Sequence, residues 1–354
     1  MIGWWMMQIP ETRREALQRH FQDVPAWRLT QIEQALFLPS VRSFADMTAL
    51  PAAWREALDP QGIFVAYRET RVFGSQKQDT FKALLGLADG KRIETVLMRN
   101  ARGSFTVCVS TQVGCAMACT FCATGKMGFA RNLSNDEIVD QVRFWRYFLA
   151  DHPELPDRIS NVVYMGMGEP LANYDFVKQS LQTLLTHTDI GPTHITVSTV
   201  GLIPMLEQLL KDPEWPPVRL AVSLHSADPK TRQEIMPTSY PDFLEKLAAW
   251  AQRYFEAFDT KRRHLTFEYI MLSGVNDTPR HANMLIAFAR RIGKARINLI
   301  PYNYTSDIFQ QSVTDEIDRF QRELERAGVD VTRRRTMGED IAAACGQLAL
   351  RNEH

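Results

Sequence analysis

Three cysteines, Cys115, Cys119 and Cys122, have the most informative spacing in this chain of 354 residues. Three and then two residues separate them. Thiolates are soft ligands that suit iron–sulfur chemistry, and three of them can each hold one iron of a cubic four-iron cluster. The fourth iron then has no protein ligand. The spacing therefore predicts a cluster whose open iron can chelate a small molecule.

Two other uses of closely spaced cysteines fit this chain poorly. Structural zinc sites usually take four ligands from paired cysteine or histidine motifs, and the chain has no second pair. Disulfide frameworks belong to short secreted chains, whereas this chain has 354 residues and five cysteines. Three structural cysteines within so short a segment would be a coincidence, so the cluster is the favoured interpretation.

The cysteine spacing resembles that of radical S-adenosylmethionine (SAM) enzymes. In those enzymes the open iron holds the amino and carboxylate groups of SAM, and one electron cleaves SAM to a 5′-deoxyadenosyl radical. Gly166, Gly168 and Glu169 lie in the run at residues 165–170. Glycines let a backbone approach a ligand closely, and Glu169 could accept from the SAM ammonium group. A glycine turn closed by proline is the alternative.

Other single residues are weaker signals. Ser198 and the run 223–225 lie at the ends of predicted strands and Asn303 comes shortly after one, and a serine or histidine there is more often a local hydrogen-bond partner. Cys108 lies on a predicted strand, and Cys345 lies among small residues before Gly346. Residue type alone favours buried apolar cysteines, but the neighbours of Cys345 also suit a loop that enters a tight site.

The composition indicates a globular protein with a full core, because 45% of the residues are hydrophobic. No uninterrupted apolar run is long enough to span a membrane, and residues 1–7 lack the basic and apolar regions of a signal peptide. Free thiols intended for a cluster imply a reducing compartment, so we expect the cytoplasm.

The formal net charge is zero, which counts mildly against nucleic-acid binding. A local patch can still suffice, because its field acts over about one Debye length. Three basic runs are candidates either for RNA contact or for solvated faces. They are residues 261–264, Arg290 and Arg291 with Lys294 and Arg296, and residues 333–335.

The elements that must position these residues repeat in strand-then-helix order. Strands are predicted at residues 105–110, 161–165, 194–199, 218–224, 265–272 and 296–301, with helices near 174–187, 202–211, 241–257 and 280–292. A further helix opens with a capping box at residues 134–137 and presents Ile138, Val142, Trp145 and Leu149 on one face. This order predicts an α/β fold, a partial (β/α)6 radical SAM barrel. The cluster loop would follow the first strand directly, at the carboxyl ends of the strands.

The rest of the chain predicts two flanking units. Residues 1–100 are expected to form a small, mainly helical accessory domain of RNA-binding type, with β-like runs at 64–67 and 93–98. The radical SAM core is expected over residues 101–340, including a helix near 314–327 and a strand near 329–334. Residues 341–354 form a tail that carries Cys345.

From about residue 27 to residue 348, the chain resembles the RlmN/Cfr group of radical SAM RNA methyltransferases. The resemblance rests on residues 108–115, 121–125, 131–133, 165–171, 223–225, 274–277 and 338–348. Residues 27–32 and 44–47 also look like the N-terminal domain of that family. Residues 304–308 depart from it, since members often carry a Pro-rich segment there.

The resemblance implies roles for both outlying cysteines. One SAM would methylate Cys345, and the radical from a second SAM would take hydrogen from that methyl group. The resulting carbon radical would add to an adenine ring carbon and cross-link the RNA to Cys345. Cys108 would then attack the Cys345 sulfur, releasing methylated RNA and leaving a transient disulfide. An aromatic adenine carbon is no nucleophile, so direct methyl transfer fails and a cofactor radical is required.

The same matching implies the other site residues and partners. Glu94 would be a proton acceptor, with a plain exposed strand carboxylate as the alternative. The implied SAM contacts are Gly168, Glu169, Ser198, Ser223, Leu224, His225 and Asn303. The implied cofactors are a [4Fe–4S] cluster and SAM, as methyl donor and radical source, with an electron donor such as flavodoxin or ferredoxin.

The implied activity is methylation of carbon 2 of adenine 2503 in 23S ribosomal RNA, with adenine 37 of transfer RNA as a further target. Methylation of carbon 8 of the same ribosomal adenine, the Cfr activity that confers antibiotic resistance, stays open, because residues 123–126 and 270–274 match that subgroup as readily. Cys108 and Cys345 disfavour a non-catalytic iron–sulfur RNA-binding protein. A radical SAM enzyme acting on a small molecule or peptide would have no use for the Cys345 tail.

Overall fold

The computed structural model describes residues 11–21, 24–258, 265–294 and 296–350. Two sheets are present in these ranges. The strands of the large sheet are β1 (Tyr67–Gly74), β2 (Thr80–Leu87), β3 (Arg92–Arg99), β4 (Phe105–Cys108), β7 (Ile159–Tyr164), β8 (Ile195–Thr199), β9 (Arg219–Ser223), β10 (Leu265–Met271), β11 (Arg296–Pro301) and β12 (Asp330–Arg333). The small sheet is a hairpin of β5 (Gln112–Gly114) and β6 (Phe129–Asn132).

The large sheet is mostly parallel. Its order is β1-β2-β3-β4-β7-β8-β9-β10-β11-β12. Every neighbouring pair from β4 onwards is parallel. The predicted α/β fold is confirmed, and the carboxyl ends of the parallel strands share one edge, where such folds keep their sites.

Helices connect most of the parallel strands. They are α4 (Asn135–Asp151), α5 (Tyr174–His187), α6 (Ile203–Lys211), α7 (Pro229–Ile235), α8 (Phe243–Ala257), α9 (Pro279–Ile292) and α10 (Thr314–Arg326), whereas α1 (Arg13–His20), α2 (Ala26–Leu36) and α3 (Ala52–Leu58) precede the first strand. The predicted crossover helices are present within a few residues of their expected bounds. Helix α7 was not predicted, because seven residues are too few for helical periodicity to be evident. None of the described helices is long and apolar enough to cross a membrane.

Helix α4 joins the barrel to the N-terminal helices. Both hydrogen bonds of its predicted capping box are present. The predicted apolar face packs into the core, where Ile138, Val142 and Trp145 are fully buried. The opposite side of α4 carries charge. Arg13 of α1 lies 2.6 Å from the Asp140 carboxylate, and both side chains are buried, so α1 is tied to α4 by a desolvated ion pair.

The N-terminal strands continue the barrel sheet. Strands β1, β2 and β3 pair antiparallel, and β3 pairs antiparallel with β4. Hydrogen bonds therefore run across residue 100, and the division into domains there stays a prediction. Residues 64–66, expected to be part of a β-like run, are bends. Their backbone bonds to side chains instead, because Arg143 donates to the Phe64 carbonyl and the Ala66 N–H donates to Asp140.

Candidate active site

The hairpin of β5 and β6 holds a loop at residues 115–128, here called the cluster loop. Gln112 Nε2 donates to Asn132 Oδ1 at 2.8 Å, and Cys115 N–H donates to the Gly128 carbonyl at 2.8 Å. A Cβ on Gly114 would lie 1.9 Å from that carbonyl oxygen, and Gly114 has a φ of 75°, so only glycine fits. The expectation that the loop follows the first strand directly was wrong, since a strand of only three residues intervenes.

One cavity of about 140 Å³ brings together most of the predicted site residues. It lies where β7, β8, β9 and β10 end. Its lining includes Cys115, Cys119, Cys122, Gly168, Glu169, Ser198, Ser223, His225 and Cys345. Five of the seven residues implied to contact SAM thus face the three cysteines implied to hold iron.

The three cysteines of the cluster loop fit an iron–sulfur cluster better than a single ion. Burial raises the pKa of Cys115 to about 12, and Cys122 contributes to this shift. Burial also raises the pKa of Cys119, with contributions from both neighbouring thiols. In the described ranges no three side chains converge on one ion. Three ligands to three separate irons need no such convergence, and all five cysteines are free thiols.

The Glu169 carboxyl group is held in a fixed orientation at the cavity wall, where it can accept from a ligand. Leu171 N–H donates to Oε1 at 3.0 Å and Val200 N–H donates to Oε2 at 2.8 Å, which fixes the carboxylate at the cavity wall. Burial raises its pKa to about 7, so a bound ammonium group would favour its ionised form.

Gly166 and Gly168 bring the segment after β7 against the strand before the cluster loop. A Cβ on Gly166 would lie 2.7 Å from Ser110 Oγ, and one on Gly168 would lie 2.5 Å from Gln112 Cβ. Gly168 also has a φ of 101°. Side chains larger than hydrogen are excluded at both positions by the neighbouring protein atoms, and the predicted close approach of this run to a ligand stays a prediction.

His225 links the end of β9 to the cluster loop. Its ring packs edge-on against Phe121, 4.8 Å between centroids. Ile270 N–H donates to its Nδ1 at 3.1 Å, so the proton of the neutral ring is on Nε2. Burial lowers the pKa of His225 to about 3, which keeps the ring neutral. Leu224, also implied to contact SAM, is fully buried and does not line the cavity.

Cys345 reaches the cavity on a segment at residues 338–350, here called the carrier segment. Ala123 N–H donates to the Gly346 carbonyl at 2.8 Å, and Thr124 Oγ1 donates to the Leu348 carbonyl at 2.6 Å. These bonds dock the segment on the cluster loop. Cys345 is exposed, but it lines the cavity together with the three cluster cysteines.

Asn303 lies in an adjoining cavity of about 170 Å³ that also contains Cys345. Its Nδ2 donates to the Cys345 carbonyl at 3.1 Å. Its buried Oδ1 has no hydrogen-bond partner in the described protein. Buried polar atoms are normally paired, so the free oxygen fits a site that a ligand completes.

Cys108 lies behind Cys345 on β4. Burial raises the pKa of Cys108 to about 12, and the nearby Cys345 adds to this shift. The guanidinium of Arg334 opposes it, and Arg334 also opposes the rise that burial causes in the pKa of Cys345. The two cysteines therefore share one electrostatic environment with a cation beside them.

Glu94 lies on neither cavity. Its carboxylate pairs with Lys82 Nζ at 3.0 Å, and both side chains are at most 2% exposed. The alternative of a plain exposed carboxylate was therefore wrong. Its role as a proton acceptor stays a prediction.

Three charged residues of the site were not predicted. Arg232 is buried, donates to the Ser223 and Leu224 carbonyls, and lies near Cys119. Arg334 and Glu268 line the cavity beside Cys345. A charge within the apolar strand β10 was the available signal for Glu268. Arg334 was assigned to a surface patch because the run at residues 333–335 is basic throughout.

The residues of the basic runs have different surroundings in the structure. Arg333 pairs with Asp318 at 2.7 Å, and Arg296 pairs with Asp330 at 2.8 Å, so both have acidic partners. Arg335 is exposed at the rim of the second cavity. Residues 261–264 lie outside the described ranges. Contact with RNA stays a prediction for all of these runs.

Comparison with known proteins agrees with the site. Residues 109–285 match the radical SAM superfamily. The chain is 41% identical over 328 residues to a probable dual-specificity RNA methyltransferase RlmN from Thermosynechococcus vestitus, covering 92% of this chain and 93% of the relative. It is 42% identical over 332 residues to the dual-specificity RNA methyltransferase RlmN of Desulfotalea psychrophila, covering 92% and 89%.

A solved structure gives the same result for the fold. The radical SAM methyltransferase from Sphaerobacter thermophilus superposes with a TM-score of 0.85 at 36% identity, covering 95% of this chain and 97% of that one. Radical SAM enzymes use a [4Fe–4S] cluster and SAM, and the donor set of the cavity fits both. The chain therefore belongs to the RlmN family of radical SAM RNA methyltransferases.

Proposed function

We propose that this enzyme methylates carbon 2 of adenine 2503 in 23S ribosomal RNA and, as a second target, adenine 37 of transfer RNA. The observation that carries the proposal is the position of Cys345, which lines the same cavity as the three cluster cysteines. A radical SAM enzyme acting on a small molecule needs no such fourth cysteine. The relatives named dual-specificity RNA methyltransferase support two RNA targets.

The chain's own residues form the reaction chamber. Cys115, Cys119 and Cys122 would hold three irons. The polar groups that would bind SAM are Gly168, Glu169, Ser198, Ser223, His225 and Asn303, with Leu224 supporting them from the core. Together the bound cofactors supply one-electron chemistry that can remove hydrogen from an unreactive methyl group. Apolar walls at Met117, Phe121 and Ile270 limit the access of water.

Cys345 would act as the methyl carrier. Its reactive form is the thiolate, and its pKa is raised because the protein around the cavity desolvates the sulfur, although the side chain is exposed to the cavity. The Arg334 guanidinium opposes this rise and so favours the thiolate. The exposure of Cys345 toward the cavity gives an incoming methyl group, and later an adenine ring, a path to the sulfur.

Cys108 would release the product. After the adduct has given up its unpaired electron to the bound redox cofactor, the Cys108 sulfur would lose a proton and bond to the Cys345 sulfur. The bond between that sulfur and the RNA-bound carbon would break, and the carbon would keep the electron pair and take up a proton, which completes the methyl group. The neighbouring Cys345 already affects the pKa of Cys108, which supports this pairing. The enzyme would be left with a Cys108–Cys345 disulfide, to be reduced before the next cycle. Glu94, whose carboxylate pairs with Lys82 Nζ at 3.0 Å, would accept the ring proton.

We propose that residues 1–100 form an accessory unit that binds RNA. Trp27 is 60% exposed, and the Arg28 guanidinium lies 4.1 Å from its ring centroid. An exposed aromatic ring beside a cation suits stacking against bases and contact with phosphate. The core at 101–340 and the tail at 341–354 complete the proposed organisation. The enzyme would act in the cytoplasm and receive electrons from a flavodoxin or ferredoxin.

The proposal is tested with RNA from a deletion strain, with and without the gene restored. Adenosines from 23S ribosomal RNA and transfer RNA would be separated chromatographically against 2-methyladenosine and 8-methyladenosine standards and identified by mass spectrometry. We expect 2-methyladenosine in both RNAs to disappear on deletion and return on complementation. Restoration of 8-methyladenosine instead would assign the enzyme the carbon 8 activity.

A further inference from the structure

The carrier segment lies across the antiparallel strands β2 and β3, on the far side of Cys345 from the cluster loop. Gln76 N–H donates to Asp340 Oδ2 at 2.8 Å, beside the turn that joins β1 to β2. Gly338 approaches Thr80 so closely that a Cβ there would lie 2.5 Å from Thr80 Cγ2. The segment is therefore fitted to this hairpin before it turns toward the cavity.

A single buried ion pair contacts the segment on both sides of Cys345. Lys82 of β2 donates from Nζ to the Ala342 carbonyl at 3.4 Å. Glu94 of β3 accepts from the Leu350 N–H through Oε2 at 3.3 Å, while its Oε1 lies 3.0 Å from Lys82 Nζ. The Ala342 carbonyl precedes Cys345 in the chain and the Leu350 amide follows it, so the pair holds the segment on both sides of the thiol.

The register of the sheet explains how one pair can do this. Leu84 is opposite Glu94, and Lys82 is opposite Val96, so Lys82 and Glu94 are diagonal neighbours on the same face. Both side chains are at most 2% exposed. A buried ion pair adds little to stability compared with apolar side chains of the same volume, because the charges lose their hydration. The role of this pair therefore lies in the backbone groups that its two side chains bind.

We propose that the Lys82–Glu94 pair is a clasp that positions the carrier segment, with Lys82 as a positioning residue for Cys345. The clasp binds backbone groups at Ala342 and Leu350 and so sets the length and direction of the chain between them. It leaves the thiol free to point into the cavity. This inference deepens the proposed function and depends on it only for the use to which Cys345 is put.

The clasp also relates the proposed base to the proposed carrier. Glu94 reaches neither cavity, yet its Oε2 accepts from the segment that carries Cys345. Release of Leu350 would free that oxygen for another hydrogen-bond donor, because a carboxylate oxygen accepts in only a few directions. Movement of the carrier segment and the availability of Glu94 are therefore linked through one atom.

The test measures how firmly the carrier segment is held in the cluster-loaded enzyme without SAM. Hydrogen exchange of residues 342–350 would be followed under anaerobic conditions alongside that of β8 and β9. Alkylation by iodoacetamide, read by mass spectrometry of the tryptic peptide at residues 336–351, whose one cysteine is Cys345, would report any change around this already exposed thiol. The exchange data separate release of the segment from general loosening.

Four variants make the measurement decisive. Lys82→Met removes the donor but leaves Glu94 buried without its cationic partner, so Lys82→Met/Glu94→Leu provides an apolar pair that keeps the fold. Lys82→Arg restores a donor and a charge. Lys91→Met is the matched control, since Lys91 is a partly exposed lysine at the turn of the same hairpin.

We expect hydrogen exchange at 342–350 to rise about 10-fold in Lys82→Met, which loses one hydrogen bond to a charged group, and about 100-fold in the double variant, which loses two. Lys82→Arg and Lys91→Met should stay close to wild type, and β8 and β9 should be unchanged in all four. Unaltered exchange at 342–350 in the folded double variant would overturn the clasp. An equal rise in Lys91→Met, or an equal rise in exchange across β8 and β9, would do so too.

The same samples distinguish a failed clasp from a failed function. If wild type shows no S-methyl group on Cys345 after incubation with SAM, the proposed carrier role fails, while the exchange results still decide the clasp. If wild type is methylated and the double variant keeps the wild-type exchange rate at 342–350, the clasp alone fails.

Discussion

The cluster loop and the carrier segment bring cysteines to one cavity by different means. The cluster loop begins and ends in the β5–β6 hairpin, so backbone hydrogen bonds fix both its ends. The carrier segment contains no strand and one short 3-10 helix, Glu339–Ile341. It is held by side-chain bonds such as those to Thr124, Asn303 and the Lys82–Glu94 pair.

The difference matches what each cysteine would have to do. Cluster ligands must keep their positions through the whole cycle, whereas a methyl carrier must meet SAM, an adenine ring and then Cys108. Segments held by few backbone bonds open at lower free energy than strands in a sheet. The carrier segment also contains two non-glycine residues with positive φ, Ala342 at 51° and Leu350 at 58°, at the two points that the clasp binds. Strained backbone of this kind persists only where surrounding contacts hold it.

The largest effect is expected from a change in the cluster loop, whose two ends are fixed by the β5–β6 hairpin. Cys119→Ala removes the central one of three iron ligands, and we expect complete loss of the cluster and of SAM cleavage. Iron and sulfide analysis of the anaerobically purified protein measures this directly. Normal cluster content in Cys119→Ala would contradict the assignment of the ligands.

Cys108→Ala should stop the reaction at the step that uses the carrier segment without affecting the cluster loop. The variant should keep its cluster, cleave SAM and methylate Cys345, and then accumulate an RNA–protein adduct instead of product. Loss of one buried sulfur costs about 1 kcal/mol, so the variant should fold. The adduct would be seen as a nuclease-sensitive shift on a denaturing gel. A Cys108→Ala enzyme that turns over normally without any adduct would show that another group resolves the intermediate.

The smallest effect is a pH dependence of SAM binding in the cavity that the cluster loop and the carrier segment share. Because burial raises the pKa of Glu169 to about 7, this carboxyl is neutral below pH 7 in the free enzyme. The ionised carboxylate is a stronger hydrogen-bond acceptor for the SAM amino group than the neutral carboxyl is. SAM affinity should therefore be highest above pH 7 and fall as the pH is lowered through 7.

Equilibrium dialysis of the cluster-loaded enzyme with SAM at pH 6, 7 and 8 measures this effect. Glu169→Gln is the control, and it should bind weakly with a flat pH profile. A wild-type affinity that stays constant from pH 6 to 8 would remove Glu169 from the ammonium site.

Much of this arrangement could be predicted from the sequence. The cluster ligands could be predicted because the spacing of Cys115, Cys119 and Cys122 is local. The alternation of strands and helices from residue 104 onward predicted the parallel sheet. Local patterns also indicated that Gly168 and Glu169 belong to the site, although the close packing of Gly168 against Gln112 was not predicted. They did not indicate that Leu224 is turned into the core, since one residue at a strand end can face either side.

Long-range pairs escaped prediction. Lys82 and Glu94 are close because of cross-strand register, and their contacts with Ala342 and Leu350 join residues separated by about 260 positions in the chain. Arg334 looked like a surface cation in its basic run, and only the packing of β12 beside β11 brings it to Cys345. Burial and charge pairing at such positions are properties of the folded chain.

The central claim is that Cys345 carries the methyl group, and one measurement tests it most directly. The enzyme would be incubated anaerobically with methyl-labelled SAM and a reductant, and the peptide at residues 336–351 would be analysed by tandem mass spectrometry. We predict a labelled S-methyl group on Cys345, and no methylation of RNA by Cys345→Ala, whose cluster content stays normal. Methylated RNA produced by Cys345→Ala would contradict the account.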